Sequence, residues 1–367
     1  MKASLLLPFG VNFYQKAVYY FLFVILRMLT ILSGIGTLIL IIIILKNNAD
    51  MDISESLADI LGLAGCNFMG IAFFYYQNDW TDLVKEVLNF EYFGVPPSYK
   101  RTVKKMFLMS TALYAYTSPC TVWYSLTNYL MYDECEADNI RTGMNVACGL
   151  LNPTWLPLER LTNRQFWIFF VLQFIGIMAY VPSSLALCMF IWETVELVVC
   201  KVDHLNILFE NMFESDHSQI CSRNLKYCLK YHQNTLRIAQ KLSYLIKWTT
   251  GSFYFTSALV IAALGNQAIK ETVPKAMFYC AGYLFATFTL CHAGQLLADE
   301  TESLNNAIYN SNWYKQDVEL RKDMVFISMR CQKPVRSYTV PTGEYNYLAY
   351  TVLVKTAYSY ITLLNQI

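Results

Sequence analysis

The chain has 367 residues, 55% of them hydrophobic and 16% aromatic, with a mean hydropathy of +0.32. Only 15% are charged and the formal net charge is +1, against the roughly 25% charged residues of soluble globular proteins. That balance excludes a nucleic-acid partner, which needs a basic excess to neutralise phosphates, and makes membrane lipid the first expected partner.

Seven apolar stretches follow one another, at about 21–45, 57–76, 106–131, 166–192, 244–263, 275–297 and 345–364. Each approaches the ~20 residues that cross a bilayer as a helix. The second is diluted by Gly62, Gly65, Asn67 and Gly70, and the last by a polar stripe. Pro119 and Pro182 fall inside the third and fourth, where a kink is expected and neighbours can satisfy the freed carbonyls. Ahead of the first span, Leu5, Leu6 and Leu7 before Pro8 are too short a run for a cleaved leader.

Lys and Arg are distributed unevenly over the loops. Nineteen lie in the N-terminal segment, the second-to-third loop, the fourth-to-fifth loop and 299–341, against six in the alternate loops. By the positive-inside rule the N-terminus is cytoplasmic, and seven crossings leave the C-terminus extracellular. A G-protein-coupled receptor has the opposite orientation, and its Asp-Arg-Tyr and Asn-Pro-x-x-Tyr signatures do not occur. An odd number of spans without inverted repeats fits a paired-repeat transporter poorly.

The expected fold is therefore an all-α membrane protein of seven transmembrane helices with cytoplasmic helical extensions forming an assembly anchor. Its divisions are a six-span ligand-binding bundle at 1–298, anchor helices and an elbow at 299–343, with Pro334, Pro341 and Gly343, and a last helix at 344–367. Apolar residues recur at helical spacing at Val195, Val198, Val202, Leu205, Leu208 and Met212. The pattern continues at Leu225, Leu229, His232, Leu236 and Ala239, and at Trp313, Leu320, Met324, Ile327 and Cys331. Such stripes need burial against one another or against another subunit, and three of them favour assembly.

Little in the chain points to catalysis. The four histidines, His204, His217, His232 and His292, are dispersed. There is no nucleophile elbow, phosphate-binding glycine loop or zinc motif, and no pair of carboxylates within a span. No enzyme, metal or cofactor is expected. Most of the eleven cysteines, such as Cys66, Cys188, Cys280 and Cys291, sit in apolar runs as small buried hydrophobes. Cys135 and Cys148 share the third-to-fourth loop, on the oxidising side, and could pair. Asn152-Pro153-Thr154 is spoiled as a glycosylation site by its proline.

The outer halves of the spans offer a wall for a small, mainly apolar ligand: Met69, Phe73, Trp123, Thr127, Phe170, Phe174, Ile177, Phe255, Leu259 and Tyr283. On the last span Thr351, Lys355, Tyr358 and Thr362 recur at steps of four, three and four, on one helical face. That face lines a water-filled path or packs against neighbouring helices; spacing alone does not choose.

Four runs in the C-terminal part carry a resemblance: YLFATFTLCHAGQLLADE (283–300), YNSNWY (309–314), MRCQKPV (329–335) and KTAYSYITLL (355–364). Together they resemble the C-terminal region of insect odorant receptors. Ser359-Tyr360 followed by Gln366-Ile367 is a loose version of the motif of the related gustatory receptors. The resemblance implies a ligand-gated, non-selective cation channel in the plasma membrane of an olfactory neuron. It implies a tetramer in which this chain is a tuning subunit beside a common co-receptor, opened by a small volatile ligand. The gate then falls around Ala357, Tyr358 and Thr362. Four copies of Lys355 facing a path for permeant cations would repel that ion, so other subunits are expected to complete the ring. The rivals are a gustatory-type homotetramer and a metabotropic seven-span receptor. An epitope at the C-terminus is expected to be labelled on intact cells and one at the N-terminus only after permeabilisation; the reverse pattern would sink the orientation.

Overall fold

The computed structural model describes residues 13–47, 53–144, 146–156, 162–214, 217–270, 275–340 and 343–364. A helix occupies each of the seven predicted spans: α1 (Phe13–Lys46), α2 (Ser54–Tyr75), α4 (Tyr99–Leu130), α6 (Asn163–Asn211), α7 (Ser218–Lys270), α8 (Lys275–Asn310) and α10 (Tyr347–Leu364). Three shorter helices, α3 (Gln77–Val87), α5 (Tyr132–Thr142) and α9 (Val318–Cys331), lie in what the sequence reads as connections. Among the described residues five helices, α1, α2, α6, α7 and α8, are long and apolar enough by themselves to cross a membrane.

The other two spans are more polar, and their chemistry shows how they tolerate lipid. On α4 the hydroxyls of Thr117, Thr121 and Ser125 donate to the carbonyls of Leu113, Thr117 and Thr121, at 2.7, 2.8 and 2.9 Å. Each hydroxyl is paid for by its own helix, one turn back. On α10 Thr351, Thr356 and Ser359 do the same toward Tyr347, Val352 and Lys355. Arg27, inside the first span, donates to Asn67 Oδ1 at 3.2 Å and lies over the Phe23 and Tyr180 rings. It thereby ties α1 to α2 and α6, the paired arrangement an arginine at membrane depth requires.

The glycines that dilute α2 are contact points. A Cβ at Gly65 would collide with Thr256 on α7, so glycine lets the two helices meet at backbone distance. Helix α6 begins with a capping box: the Gln165 side chain accepts from the Thr162 N–H at 3.0 Å. Pro119 and Pro182 sit inside continuous helices. Cys135 and Cys148 are disulfide-bonded, which joins α5 to the chain that follows it, and Asn139 Nδ2 donates to the Val146 carbonyl beside the bond.

Two large cores result, besides a small cluster of Leu40 and Ile44 on α1 with Val146. One packs α2, α3, α4, α6, α7, α8 and α10 together. The second lies beyond it, where the far ends of α6, α7 and α8 meet α9. The three amphipathic stripes of the sequence end here, buried against one another within a single chain, with Leu205 and Phe209 at 0% exposure. Burial within one chain satisfies these stripes without a partner subunit. The elbow after α9 is a two-residue hairpin, β1 (Tyr338–Thr339) antiparallel to β2 (Gly343–Glu344), with Gly343 at φ 110°; Pro341 lies outside the described residues. Tyr345 then pins the chain: its N–H donates to Ser337 O at 2.8 Å and its hydroxyl pairs with Thr250 on α7.

His232 in the second core is 4% exposed, with Nε2 3.6 Å from Cys331 Sγ. Burial, with Arg330 nearby, pushes its pKa down from the usual 6.5 to about 4. In the window between those values the unfolded chain takes up a proton that the fold refuses. Stability is expected to be independent of this group above pH ~6.5 and to fall as pH drops from ~6.5 toward ~4. His232→Gln should flatten that part of a melting-temperature profile; an unchanged slope would show the group to be elsewhere.

Candidate functional site

Inside the bundle, α2, α4, α6, α7 and α8 line a partly open cavity of about 120 Å³. That is close to the ~150 Å³ of an engineered apolar cavity able to hold benzene. Most of its wall is apolar or aromatic: Leu63 from α2, Trp123 from α4, Ile177, Val181 and Leu185 from α6, Phe253 from α7, and Phe278 and Ala286 from α8. One end is polar. There the Lys275 ammonium reaches Glu55 Oε1 and Oε2 at 3.1 and 3.0 Å and Asn128 Oδ1 at 3.0 Å. Tyr124 donates to Glu55 Oε1 at 3.0 Å and stands 3.4 Å from Asp59 Oδ1. Asn128 Nδ2 in turn donates to the Leu151 carbonyl at 2.6 Å.

The tyrosines on the wall are held by specific partners. Tyr180 donates to the Gly62 carbonyl at 2.6 Å, and the Tyr283 hydroxyl lies 3.7 Å from Cys66 Sγ. The Tyr283 ring stacks on Phe253 at 5.6 Å. Gly62 sits under this cluster: a Cβ there would be 2.7 Å from the Tyr283 hydroxyl and 3.3 Å from that of Tyr279. The residue before Tyr254 on α7 thus forms cavity wall, while Tyr254 itself meets Tyr345 edge-on at 5.1 Å, at the root of α10.

Of the ten expected ligand-wall residues, Trp123, Ile177 and Tyr283 line this cavity. The others lie off its wall. Met69 and Phe73 stand further along α2, with Phe73 packed on Trp80 and Phe190 at 5.8 and 5.7 Å. An out-to-in second span has its outer half at 57–66, so those two belong to the opposite half of α2. Thr127 returns its hydroxyl to the Trp123 carbonyl. Phe170 joins Tyr129 and Trp167 in an aromatic cluster. Phe174 and Leu259 are half-buried elsewhere, and Phe255 points outward at 52% exposure.

Sequence reasoning missed Asp59, Tyr124, Tyr180, Lys275 and Tyr279. A signal existed for Asp59, an acid inside the second predicted span, since an ionisable group at that depth marks a functional site by default. On α10 the structure separates the expected gate residues. Thr351, Lys355, Tyr358 and Thr362 are exposed on the isolated chain, whereas Ala357 is 2% exposed and packs inward. Ala357 therefore does not share their face. His292 is satisfied, with Nδ1 2.8 Å from the Tyr347 hydroxyl. Among the described residues no cluster of His, Cys, Asp and Glu could hold a metal ion.

An apolar cavity with one polar end, inside an all-α membrane bundle, fits a membrane receptor for a small molecule. The sequence profile of the 7tm odorant receptor family matches residues 52–358, and the chain belongs to that family. It is 24% identical to Drosophila melanogaster odorant receptor 85c over 328 residues, 83% of this chain and 81% of that one. It is 25% identical to putative odorant receptor 85d of the same fly over 217 residues, a match spanning only 52% of that relative and 57% of this chain. It is 22% identical to odorant receptor Or2 of Anopheles gambiae over 315 residues, 82% of this chain and 76% of that one. The fold is shared with the insect olfactory receptor OR5 of Machilis hrabei, solved in complex with eugenol, at a TM-score of 0.75 and 15% identity, over 97% of this chain and 90% of that one.

Gly62→Ala tests the cavity floor. Its methyl must displace the Tyr283 ring, and overpacking of this kind costs ~1–3 kcal/mol. Binding of a benzene-sized ligand, followed by thermal shift of purified protein, is expected to weaken roughly tenfold. Gly176→Ala, off the cavity wall and with a Cβ that meets only Thr30 Cγ2 at 3.8 Å, serves as the control; equal effects from both would refute the assignment.

Proposed function

We propose that this chain is the odorant-tuning subunit of a ligand-gated, non-selective cation channel, assembled as a tetramer with a common co-receptor in the plasma membrane of a sensory neuron. Residues 1–298 bind a small, mainly apolar volatile, 299–343 anchor the subunit, and 344–367 line the pore. The observation that carries this reading is the apolar cavity within a bundle of this family. The Machilis hrabei receptor of the same fold holds eugenol, a ligand of suitable kind.

Two features support the channel part. Helix α10 meets its own bundle along Leu353, Ala357 and neighbours, leaving Leu348, Val352 and Tyr358 at 71, 53 and 67% exposure. Helix α9, with its inner face in the second core, turns Val318, Val325, Phe326 and Met329 outward at 60, 53, 71 and 58%. Large apolar surfaces of this sort are covered by lipid or by other subunits.

The mechanism is a population shift. Helix α7 bears Phe253 on the cavity wall and, through Thr250 and Tyr254, holds Tyr345 at the start of α10. A ligand that fits the cavity better with α10 displaced moves the equilibrium by that difference in affinity and by no more. Voltage-clamp recording of cells expressing this chain with and without the co-receptor, during an odorant panel, is the direct test. Odorant-evoked cation current only with both subunits is expected; a response through a G protein, with no current, would overturn the reading. Lys355→Gln should change unitary conductance or selectivity while leaving odorant ranking intact. Unchanged permeation would remove Lys355 from the pore wall.

A further inference from the structure

The cavity contains a polar atom that the fold leaves unpaired. Asp59 lines it from α2, is 5% exposed, and its Oδ2 makes no hydrogen bond. The donors around it are engaged elsewhere. Tyr124 has a single hydroxyl proton and stands closer to Glu55 Oε1, at 3.0 Å, than to Asp59 Oδ1, at 3.4 Å. The three protons of Lys275 are matched by both Glu55 oxygens and by Asn128 Oδ1. Tyr180 spends its proton on the Gly62 carbonyl.

A buried carboxyl oxygen without a donor is costly in so apolar a setting. Water can supply a donor while the cavity is wet. A ligand that fills the cavity expels it, and only a ligand with its own donor replaces what is lost. An ether, alkane or ester leaves Oδ2 bare and gives back part of the affinity its apolar surface provides.

Resting on the reading of this cavity as the ligand site, we infer that the receptor selects small molecules bearing a hydrogen-bond donor, an alcohol, a phenol or an amine. The O–H or N–H meets Asp59 Oδ2 and the apolar body lies against Leu63, Ile177 and Val181. A ligand hydroxyl donates to Oδ2 of the carboxylate, and equally to Oδ2 of the acid when its proton sits on Oδ1 toward the Tyr124 oxygen, 3.4 Å away. An amine additionally offsets the charge of a cluster in which two carboxylates, Glu55 and Asp59, face one ammonium, Lys275.

The test uses four isosteric probes: benzyl alcohol, benzylamine, anisole and ethylbenzene. Each is measured by thermal shift on the purified complex with its co-receptor, and by evoked current in cells. The two donor probes are expected to bind at least about tenfold more tightly than anisole and ethylbenzene, since a site built to pair a donor discriminates strongly against the analogue that lacks one. Asp59→Leu should erase that preference, with anisole and ethylbenzene binding as well as before or better. Asp59→Asn, which keeps an acceptor oxygen, should retain the preference for the alcohol and lose it for the amine. Equal binding of all four probes to the wild-type complex would overturn the inference without any variant, as would a donor preference that survives in Asp59→Leu protein of normal surface level. Donor-selective binding without current would uphold the inference and defeat the channel reading; current without donor preference would do the reverse.

Discussion

In hydrocarbon a polar group has no water to turn to, and the whole architecture answers that constraint. The hydroxyl ladder of α4 runs on its own backbone, and Arg27 finds Asn67 and two aromatic faces. Lys275 and Glu55 meet at the polar end of the cavity, with Asn128 and Tyr124 filling their remaining valences. Once polar atoms are satisfied inside each helix or in small knots between helices, apolar surface is free to pack. An atom left over on the cavity wall, as at Asp59, then bears on what can fill that cavity.

The same constraint divides the molecule in two. The bundle core is built from aromatic and aliphatic side chains around buried polar knots, whereas the second core around Phe209 and Leu205 follows the amphipathic rule of water-soluble helices. Helices α6, α7 and α8 run through both without a break, so the two cores are rigidly joined. Helix α10 is the exception. It is reached through a hairpin and held at its root by Tyr345, which touches Thr250 and Tyr254 on α7 and lies against Gly294 on α8. An element joined through a hairpin, packed on one face along Leu353 and Ala357 and carrying exposed hydrophobic surface on the other, is the part of this chain best placed to move.

The spans and the helical extensions were legible because hydrophobic runs and periodicity are strong, local signals. The helix at 77–87 was not, although Trp80, Leu83, Val84 and Val87 give it a buried face, because eleven residues offer too few turns for the pattern to separate from a loop. The cavity wall was legible in part. Aromatic content names candidates, but whether Phe255 points in or out depends on the rotation of α7, which its neighbours set through Gly65 and Thr256. Tyr279, Tyr283 and Lys275 converge with Asp59 from a helix more than two hundred residues away, a juxtaposition no local pattern encodes.

The self-satisfied hydroxyls of α10 weigh on the pore question. Thr351, Ser359 and Thr362 bond to the α10 backbone, so they would be tolerated in lipid and do not by themselves require water. Lys355 is different, because an ammonium at membrane depth has no such internal remedy. Magnitudes favour a wet setting. Two ammonium groups about 10 Å apart repel by about 0.4 kcal/mol in water-like dielectric but by about 1.7 kcal/mol at an effective dielectric of 20. Several copies around a hydrated path would cost little, while the same ring in a dry interface would be a serious liability. In the channel proposed here, therefore, the lysine rather than the threonine stripe is the residue whose presence is best explained by water beside α10.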